Sequence, residues 1–299
     1  MKKIFFKKGD KVPTLVGGCL LLGYFDGVHR GHFELIKTAK REKNIVGVLL
    51  FDENLGHFLP NTKSGKELTT LEEKLNLFEN YGIDAAYIVH TDENFLKLRK
   101  EEFISQILEN IKPDKIIVGT DYTFGYKKEG SIEDLKKRFD VIACPLLEDE
   151  FGKISTRTII SLLEDGKVEC ANSQLGYLYS LSGKVFHGLE NGRKISYPTA
   201  NISIEKDKVK PKVGVYAGYT EVDNKKYESI INIGSNPTIG KLHSDIIETH
   251  ILNGFKEDIY NKDIRVYFLD YIRDEKKFSS LDELKNQLDY DSKYFERNK

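Results

Sequence analysis

Two histidines three positions apart, His29 and His32, close the run Gly23-Tyr24-Phe25-Asp26-Gly27-Val28-His29-Arg30-Gly31-His32. At that spacing on a helix start both rings can face one ligand, and an imidazole N–H can stabilise charge building on a phosphorus centre. Gly23, Gly27 and Gly31 give backbone N–H groups room to approach a polyphosphate, and a helix start presents about half a positive charge to it. By residue type alone the pair could instead ligate a metal, although no third ligand accompanies it, or shape a structural turn. Farther along, Thr199 and Asn201 offer a hydroxyl and an amide oxygen, hard donors suited to Mg²⁺. Two apart on a strand, they share a face, yet Thr-x-Asn by itself is also commonplace in turns. Glu248 lies in the apolar stretch Ile246-Ile247-Glu248-Thr249-His250-Ile251-Leu252. A carboxylate there sits on a solvated face or points into a site as a general base.

The elements that must hold these groups fall into two textures. Val16–Phe25 reads as a short buried strand, followed by turn chemistry and an amphipathic stretch with Phe33, Ile36, Ala39 and Lys40 at helical intervals. Ile45–Phe51 is a second strand, which completes a parallel crossover unit. Thr70 with Glu73 forms a capping box for a helix whose stripe is Leu71, Leu75 and Phe78 and which Gly82 ends. Ala85–Val89, Lys100–Asn110 and Lys115–Gly119 continue the alternation as strand, helix and strand, so an open α/β sheet with helices on both faces is expected.

After about residue 180, strand-like runs follow one another without helices: Lys184–His187, Thr199–Ile204, Gly214–Val222, Tyr227–Ile233, Ile246–Leu252 and Ile264–Tyr271. Asp223-Asn224 marks a hairpin turn and Asn236-Pro237 another break. This texture predicts an antiparallel barrel or sandwich, closed by a last helix from Ser280 with Glu283 three residues on. Gly176–Gly183 reads as the junction, which places two domains at 1–180 and 181–299.

The 299 residues suffice for two cores. Lys and Arg number 46 against 47 Asp and Glu, so no global field points to nucleic acid or to a lipid surface. Cys19, Cys144 and Cys170 are scattered without C-x-x-C spacing, which fits a reducing, cytoplasmic compartment and buried apolar roles. The lysines before Val16–Leu22 imitate a secretory leader, but the run is short, glycine-containing and lacks a cleavage site. Nothing in the pattern fixes an oligomeric state.

The whole run from Gly23 to His32, set between strand and helix, resembles the H-x-G-H signature of the nucleotidyltransferase superfamily in the form found in bacterial FAD synthetases. Leu68-Thr69-Thr70-Leu71-Glu72-Glu73-Lys74 is similar to that family's helix opening, and Val118-Gly119-Thr120-Asp121-Tyr122-Thr123-Phe124-Gly125 to its V-G-x-D-[FY]-x-F-G loop. The resemblance implies a Rossmann-like α/β domain that adenylylates FMN to FAD with ATP. His29 and His32 would be catalytic, with Gly23, Phe25, Asp26, Gly27 and Gly31 around the nucleotide. Asp121 would take magnesium or a ligand hydroxyl. Ser155-Thr156-Arg157-Thr158-Ile159-Ile160 stands where the family has S-S-T-x-I-R. Ser155 and Thr156 keep hydroxyls for ATP phosphates, Ile160 occupies the arginine's place, and Arg157 is one turn away. After Phe51-Asp52, Glu53-Asn54-Leu55 replaces the family's proline and histidine.

The later half resembles riboflavin kinase from about residue 183 to 290. The match is carried by Gly183-Lys184-Val185-Phe186-His187-Gly188, Gly192-Arg193, Tyr197-Pro198-Thr199-Ala200-Asn201, Gly214-Val215-Tyr216-Ala217, Asn232-Ile233-Gly234-Ser235-Asn236-Pro237-Thr238, Glu248-Thr249-His250 and Arg273-Asp274-Glu275-Lys276-Lys277-Phe278. This implies a kinase barrel in which Thr199 and Asn201 hold Mg²⁺ with ATP and Glu248 is the general base. Gly183 and Gly188 would close over ATP phosphates, and Arg273 would meet the flavin. Riboflavin, FMN and ATP are then substrates, with FMN and FAD as products rather than prosthetic groups. Two further readings stay open: a kinase with an impaired first domain, and a flavin- or nucleotide-binding regulator without turnover.

Overall fold

The computed structural model describes residues 1–53, 65–186, 199–204, 207–234, 246–253, 255 and 258–298. Two compact units make up the chain, Met1–Thr158 and Ile159–Lys299.

The first unit is built on six parallel strands: β1 (Lys2–Phe6), β2 (Gly18–Leu21), β3 (Ile45–Phe51), β4 (Ala85–Val89), β5 (Lys115–Gly119) and β6 (Asp140–Cys144). Their order across the sheet is β1-β4-β3-β2-β5-β6. Helices α1 (Arg30–Glu42), α2 (Leu71–Asn80), α3 (Glu93–Leu96), α4 (Lys100–Phe103), α5 (Glu109–Ile111) and α6 (Ile132–Lys136) connect them, α4 running through a wider turn at Ile104–Leu108 into α5. The strands are apolar throughout because both faces are covered. Leu20 in β2 and Leu22 just past it join one core layer with Leu49, Tyr87 and Ile116. Cys19 and Leu21 alternate into the opposite layer with Ile36, Val48 and Phe78. The capping box at Thr70 is complete, Glu73 N donating to Thr70 Oγ1 and Thr70 N to the Glu73 carboxylate.

Strand order fixes where a ligand can enter. From β2 the chain moves outward through β3 and β4, then returns to place β5 on the other side of β2. The reversal opens a crevice at the carboxyl ends of β2 and β5, where open α/β sheets take their ligands. The loops after these two strands are Gly23–His29 and the segment beginning at Thr120.

β1 is an addition to the expected strands. It pairs parallel with β4, Lys2 opposite Ala85 through Phe6 opposite Val89. Two of its five residues are lysines, two more follow, and its partner is distant in sequence, so no local pattern announces it. A two-residue hairpin, β7 (Glu148–Asp149) and β8 (Gly152–Lys153), then leads into α7 (Thr156–Glu164).

In the second unit α8 (Val168–Leu175) precedes a closed antiparallel barrel. Its strands are β9 (Ser180–Phe186), β10 (Ala200–Ser203), β11 (Gly214–Val222), β12 (Lys225–Gly234), β13 (Ile246–Ile251) and β14 (Asp263–Arg273), followed by α9 (Leu281–Ser292) and α10 (Tyr294–Arg297). Around the barrel the order is β10-β13-β12-β11-β14-β9. Of the two all-β architectures the texture allowed, the chain adopts the closed one. Asp223 and Asn224 join β11 to β12 with φ of 49° and 63°, the paired positive values that a two-residue hairpin needs and Asx residues tolerate. Buried Asn172 ties α8 to the barrel, donating to Phe268 O at 2.9 Å and accepting from Tyr179 N at 2.7 Å. Ser280 caps α9 by accepting from Glu283 N, while the Glu283 carboxylate accepts from Ser279 instead of closing a box.

Candidate active sites

The loop after β2 is held in a shape that few sequences adopt. Phe25, Gly27 and Val28 all have positive φ, at 55°, 75° and 35°. For β-branched Val28 that backbone is strained and persists only because its surroundings fix it. Asp26, 1 % exposed, is the clamp. Its carboxylate accepts from Leu68 N at 3.1 Å, Thr69 N at 3.0 Å and Thr69 Oγ1 at 3.1 Å, while Gly27 N donates to Thr69 Oγ1 at 2.8 Å. Thr156 Oγ1 reaches the Asp26 carbonyl from the start of α7, at 3.1 Å. The Phe25 ring is fully buried, edge-on to Phe78 at 5.3 Å and to His32 at 5.0 Å. Phe25 and Asp26 therefore shape the loop from within. Gly23 and Gly31 are explained by close approach: a Cβ would meet the Phe25 ring at 3.0 Å and the His29 ring at 3.1 Å, respectively.

The result is a histidine stack. His29 and His32 lie ring on ring, centroids 3.7 Å apart and planes at 17°. Each Nδ1 is enclosed and meets no partner within the protein. Burial, reinforced by the positive charge of Lys153, lowers His29 to about 4. Enclosure of the ring, with His29 and Lys74 nearby, takes His32 well below the ordinary imidazole range. Both rings are neutral at pH 7, and a neutral imidazole carries one donor and one acceptor. An orphaned buried nitrogen costs about 1–3 kcal/mol, which a ligand oxygen would relieve. The stack opens α1, and His29 makes no side-chain cap to that helix start.

Asp121, two residues past β5, is an exposed partner of Lys153, Nζ to Oδ2 2.7 Å. Lys153 was not singled out from the sequence; one lysine among many becomes significant only when the β7–β8 hairpin carries it beside His29. Ser155 Oγ lies 3.0 Å from Thr158 Oγ1 and accepts from Thr158 N at 3.3 Å, so with Thr156 it organises the start of α7. Arg157 is exposed on α7, three residues and thus about one turn before Ile160.

In the barrel, register assembles the second site. Asn201 on β10 is the cross-strand partner of Glu248 on β13, and Glu248 is the partner of Asn232 on β12. Side chains alternate faces, so one residue along the same three strands Ile202, Ile247 and Ile233 form the opposite-facing row. Those isoleucines are 0, 0 and 1 % exposed and fill the core, which puts Asn201, Glu248 and Asn232 together on the other face of the barrel wall. Asn201 is buried and Glu248 half-buried. Asn232 donates to Glu275 Oε1 at 3.5 Å, while its own Oδ1 is buried without a partner. Burial, and then the charge of Glu275, raise the Glu248 carboxyl above the usual range. Gly234 leaves room for Glu275, whose Oε1 a Cβ would meet at 2.5 Å. Thr199 immediately precedes β10 and is half-buried. Asn232 and Glu275 were present only as members of a motif; strand register marks the first as a neighbour of Glu248, and the path of the chain after β14 marks the second.

Two further candidate residues have structural partners of their own. The Arg273 guanidinium is engaged by buried Asp291 of α9, at 2.8 Å from Nη2 and 3.1 Å from Nε, and by the Asp274 carbonyl. Gly183 sits inside β9 opposite Ile264, where a Cβ would run into the Ser203 carbonyl, a steric reason independent of any phosphate. Gly188 lies outside the described residues.

Oxygen donors are the right chemistry for magnesium here. Among the described residues no three His, Cys, Asp or Glu side chains gather as a metal cage. Thr199 and Asn201 would contribute few, neutral ligands, as suits an ion that keeps waters and shares phosphate oxygens.

Two family models match this chain, the one described as FAD synthetase over residues 13–158 and the one described as riboflavin kinase over 175–298. A bifunctional riboflavin kinase/FMN adenylyltransferase of Bacillus subtilis is 35 % identical, aligned over 91 % of this chain and 89 % of its own length. The chain belongs to that bifunctional family. Relatives of the same description in Escherichia coli and Buchnera aphidicola of Schizaphis graminum are 35 % and 38 % identical, over 91 % and 92 % of this chain and 90 % and 93 % of their own. A crystal structure titled as a macrolide-efflux protein of Streptococcus pneumoniae is similar with a TM-score of 0.90 and 32 % identity, covering 98 % of both chains. No helix among the described residues of this chain is long and apolar enough to cross a membrane.

Proposed function

We propose that the chain phosphorylates riboflavin to FMN at the barrel wall and adenylylates FMN to FAD at the crevice of the parallel sheet, using MgATP for both. The observation that carries the first step is the pairing of Asn201 with Glu248 across β10 and β13. Glu248 accepts the proton of the ribityl 5′-hydroxyl as that oxygen attacks the γ-phosphorus, the bond to the bridging oxygen breaks and ADP leaves. Its raised pKa makes it a better proton acceptor. Thr199 and Asn201 would hold magnesium, which when bound supplies charge neutralisation at the phosphates. Asn232 orients a polar ligand group through its unpartnered oxygen.

In the second step an oxygen of the FMN phosphate attacks the α-phosphorus of ATP, the bond to pyrophosphate breaks, and pyrophosphate departs. His29 and His32 donate to the phosphate oxygens as neutral imidazoles. Preorganised donors of this kind stabilise the charge that develops on the phosphate oxygens. Lys153 supplies a cation beside them. No covalent enzyme intermediate is needed, since positioning and electrostatics carry both transfers.

Incubation with riboflavin and MgATP, followed by separation of the flavins, tests the reading. FMN and FAD should both accumulate. FMN alone would leave only the kinase, and no flavin product would overturn the function.

A further inference from the structure

A charged cluster lies behind the histidine stack, and neither transfer as described above uses it. Lys74, in the first half of α2, is 5 % exposed. Its Nζ lies 3.3 Å from Glu67 Oε1 and 4.7 Å from the centre of the Tyr24 ring. The Tyr24 hydroxyl donates to the same Glu67 carboxylate. α2 packs on the Asp26–Val28 turn, and Lys74 shares a helix face with Phe78, four residues on. Phe78 touches Phe25, whose ring touches His32. The ammonium is thus set into the wall that backs His32.

Folding gives no reason for a charge there. Leu71, Leu75 and Phe78 surround the position with an apolar layer, and replacing a buried ion pair with apolar side chains is often neutral or stabilising. We propose that Lys74 is a positioning residue for adenylyl transfer, its ammonium fixing Tyr24 and Glu67 and supplying the constant positive charge against which the His29–His32 stack operates. This rests on the adenylyltransferase reading of that stack.

The charged groups facing the two rings can be named. His29 and His32 face each other; Lys74 faces His32 from α2, with Glu67 beside it and Asp26 near Glu67. Lys153 and Asp121 face His29. Removing Lys74 takes away a positive neighbour, so His32 protonates more readily and the neutral donor is lost at a higher pH.

FAD formation from supplied FMN and MgATP, followed from pH 5 to 8 in Lys74→Met, Lys74→Arg and Glu67→Gln, tests this. FMN formation from riboflavin in the same preparations reports the other unit. The ratio of the FAD rate at pH 8 to that at pH 5 should rise about threefold or more in Lys74→Met, and stay near the unmodified value in Lys74→Arg. Glu67→Gln, which leaves the ammonium uncompensated, should not raise the ratio. An unmoved ratio in Lys74→Met, whatever the rate, overturns the proposal, as does equal displacement by the arginine variant. If Lys74→Met does not fold, a raised ratio in Glu67→Gln overturns it and an unraised or lowered one supports it. Failure of the unmodified protein to make FAD would instead remove the reading on which it rests.

Discussion

Asn201 and Glu248 are direct partners across β10 and β13, with Asn232 in register on the far side of Glu248. The row puts an amide that can share a magnesium ion with ATP next to a carboxylate that can take a proton. It does so on the wall of a barrel whose inner face is closed with isoleucine. Replacing Glu248 by Gln keeps the shape and removes the base, so FMN formation should fall by about 10²–10⁴-fold. Conversion of supplied FMN to FAD should persist. Equal loss of both activities in chromatographic assays would argue against two separate sites.

Glu275 tunes that base. Since its charge is the second cause of the raised Glu248 pKa, after burial, Glu275→Gln should lower it. The active base is the ionised form, so kinase activity declines as pH falls through the Glu248 pKa. The acid limb of FMN formation should therefore move to lower pH. A pH–rate profile with an unmoved limb would detach Glu275 from the base.

His32→Ala removes one of two stacked donors and should lower FAD formation by about 10²–10³-fold. FMN formation should continue, because His32 belongs to the first unit alone. Unchanged FAD output from supplied FMN would take the histidine out of the mechanism.

The Arg273–Asp291 pair is a matter of stability. Asp291 is fully buried and the Arg273 side chain only 16 % exposed, so Asp291→Ala strands a desolvated guanidinium at a cost of about 3–5 kcal/mol. Thermal unfolding followed by circular dichroism should shift down by about 10 °C. A double replacement of both residues by leucine should recover much of the loss; if Asp291→Ala melts like the unmodified protein, the pair does not anchor α9.

Much of this was legible in one dimension. Ile45–Phe51, Ala85–Val89, Lys115–Gly119 and Gly214–Val222 read as strands and are strands with those bounds, because β-branched and apolar runs bounded by turn residues bury on a sheet. The Thr70 cap and the Asp223-Asn224 turn are equally local, each set by side chains within a few positions. β1 was missed because a short, lysine-rich strand gains its place from β4 rather than from its own pattern.

By itself the sequence determined the residue types, their motif spacing and the two textures of the chain, since these follow from interactions a few residues long. The tertiary structure alone decided which side chains meet. Register set Asn232 beside Glu248, the segment after β14 brought up Glu275, the positive-φ loop stacked His29 on His32, a hairpin brought up Lys153, and α2 buried Lys74. Those juxtapositions depend on pairings between segments far apart along the chain, and a shift of one residue in strand register would turn every one of the barrel-wall groups to the opposite face.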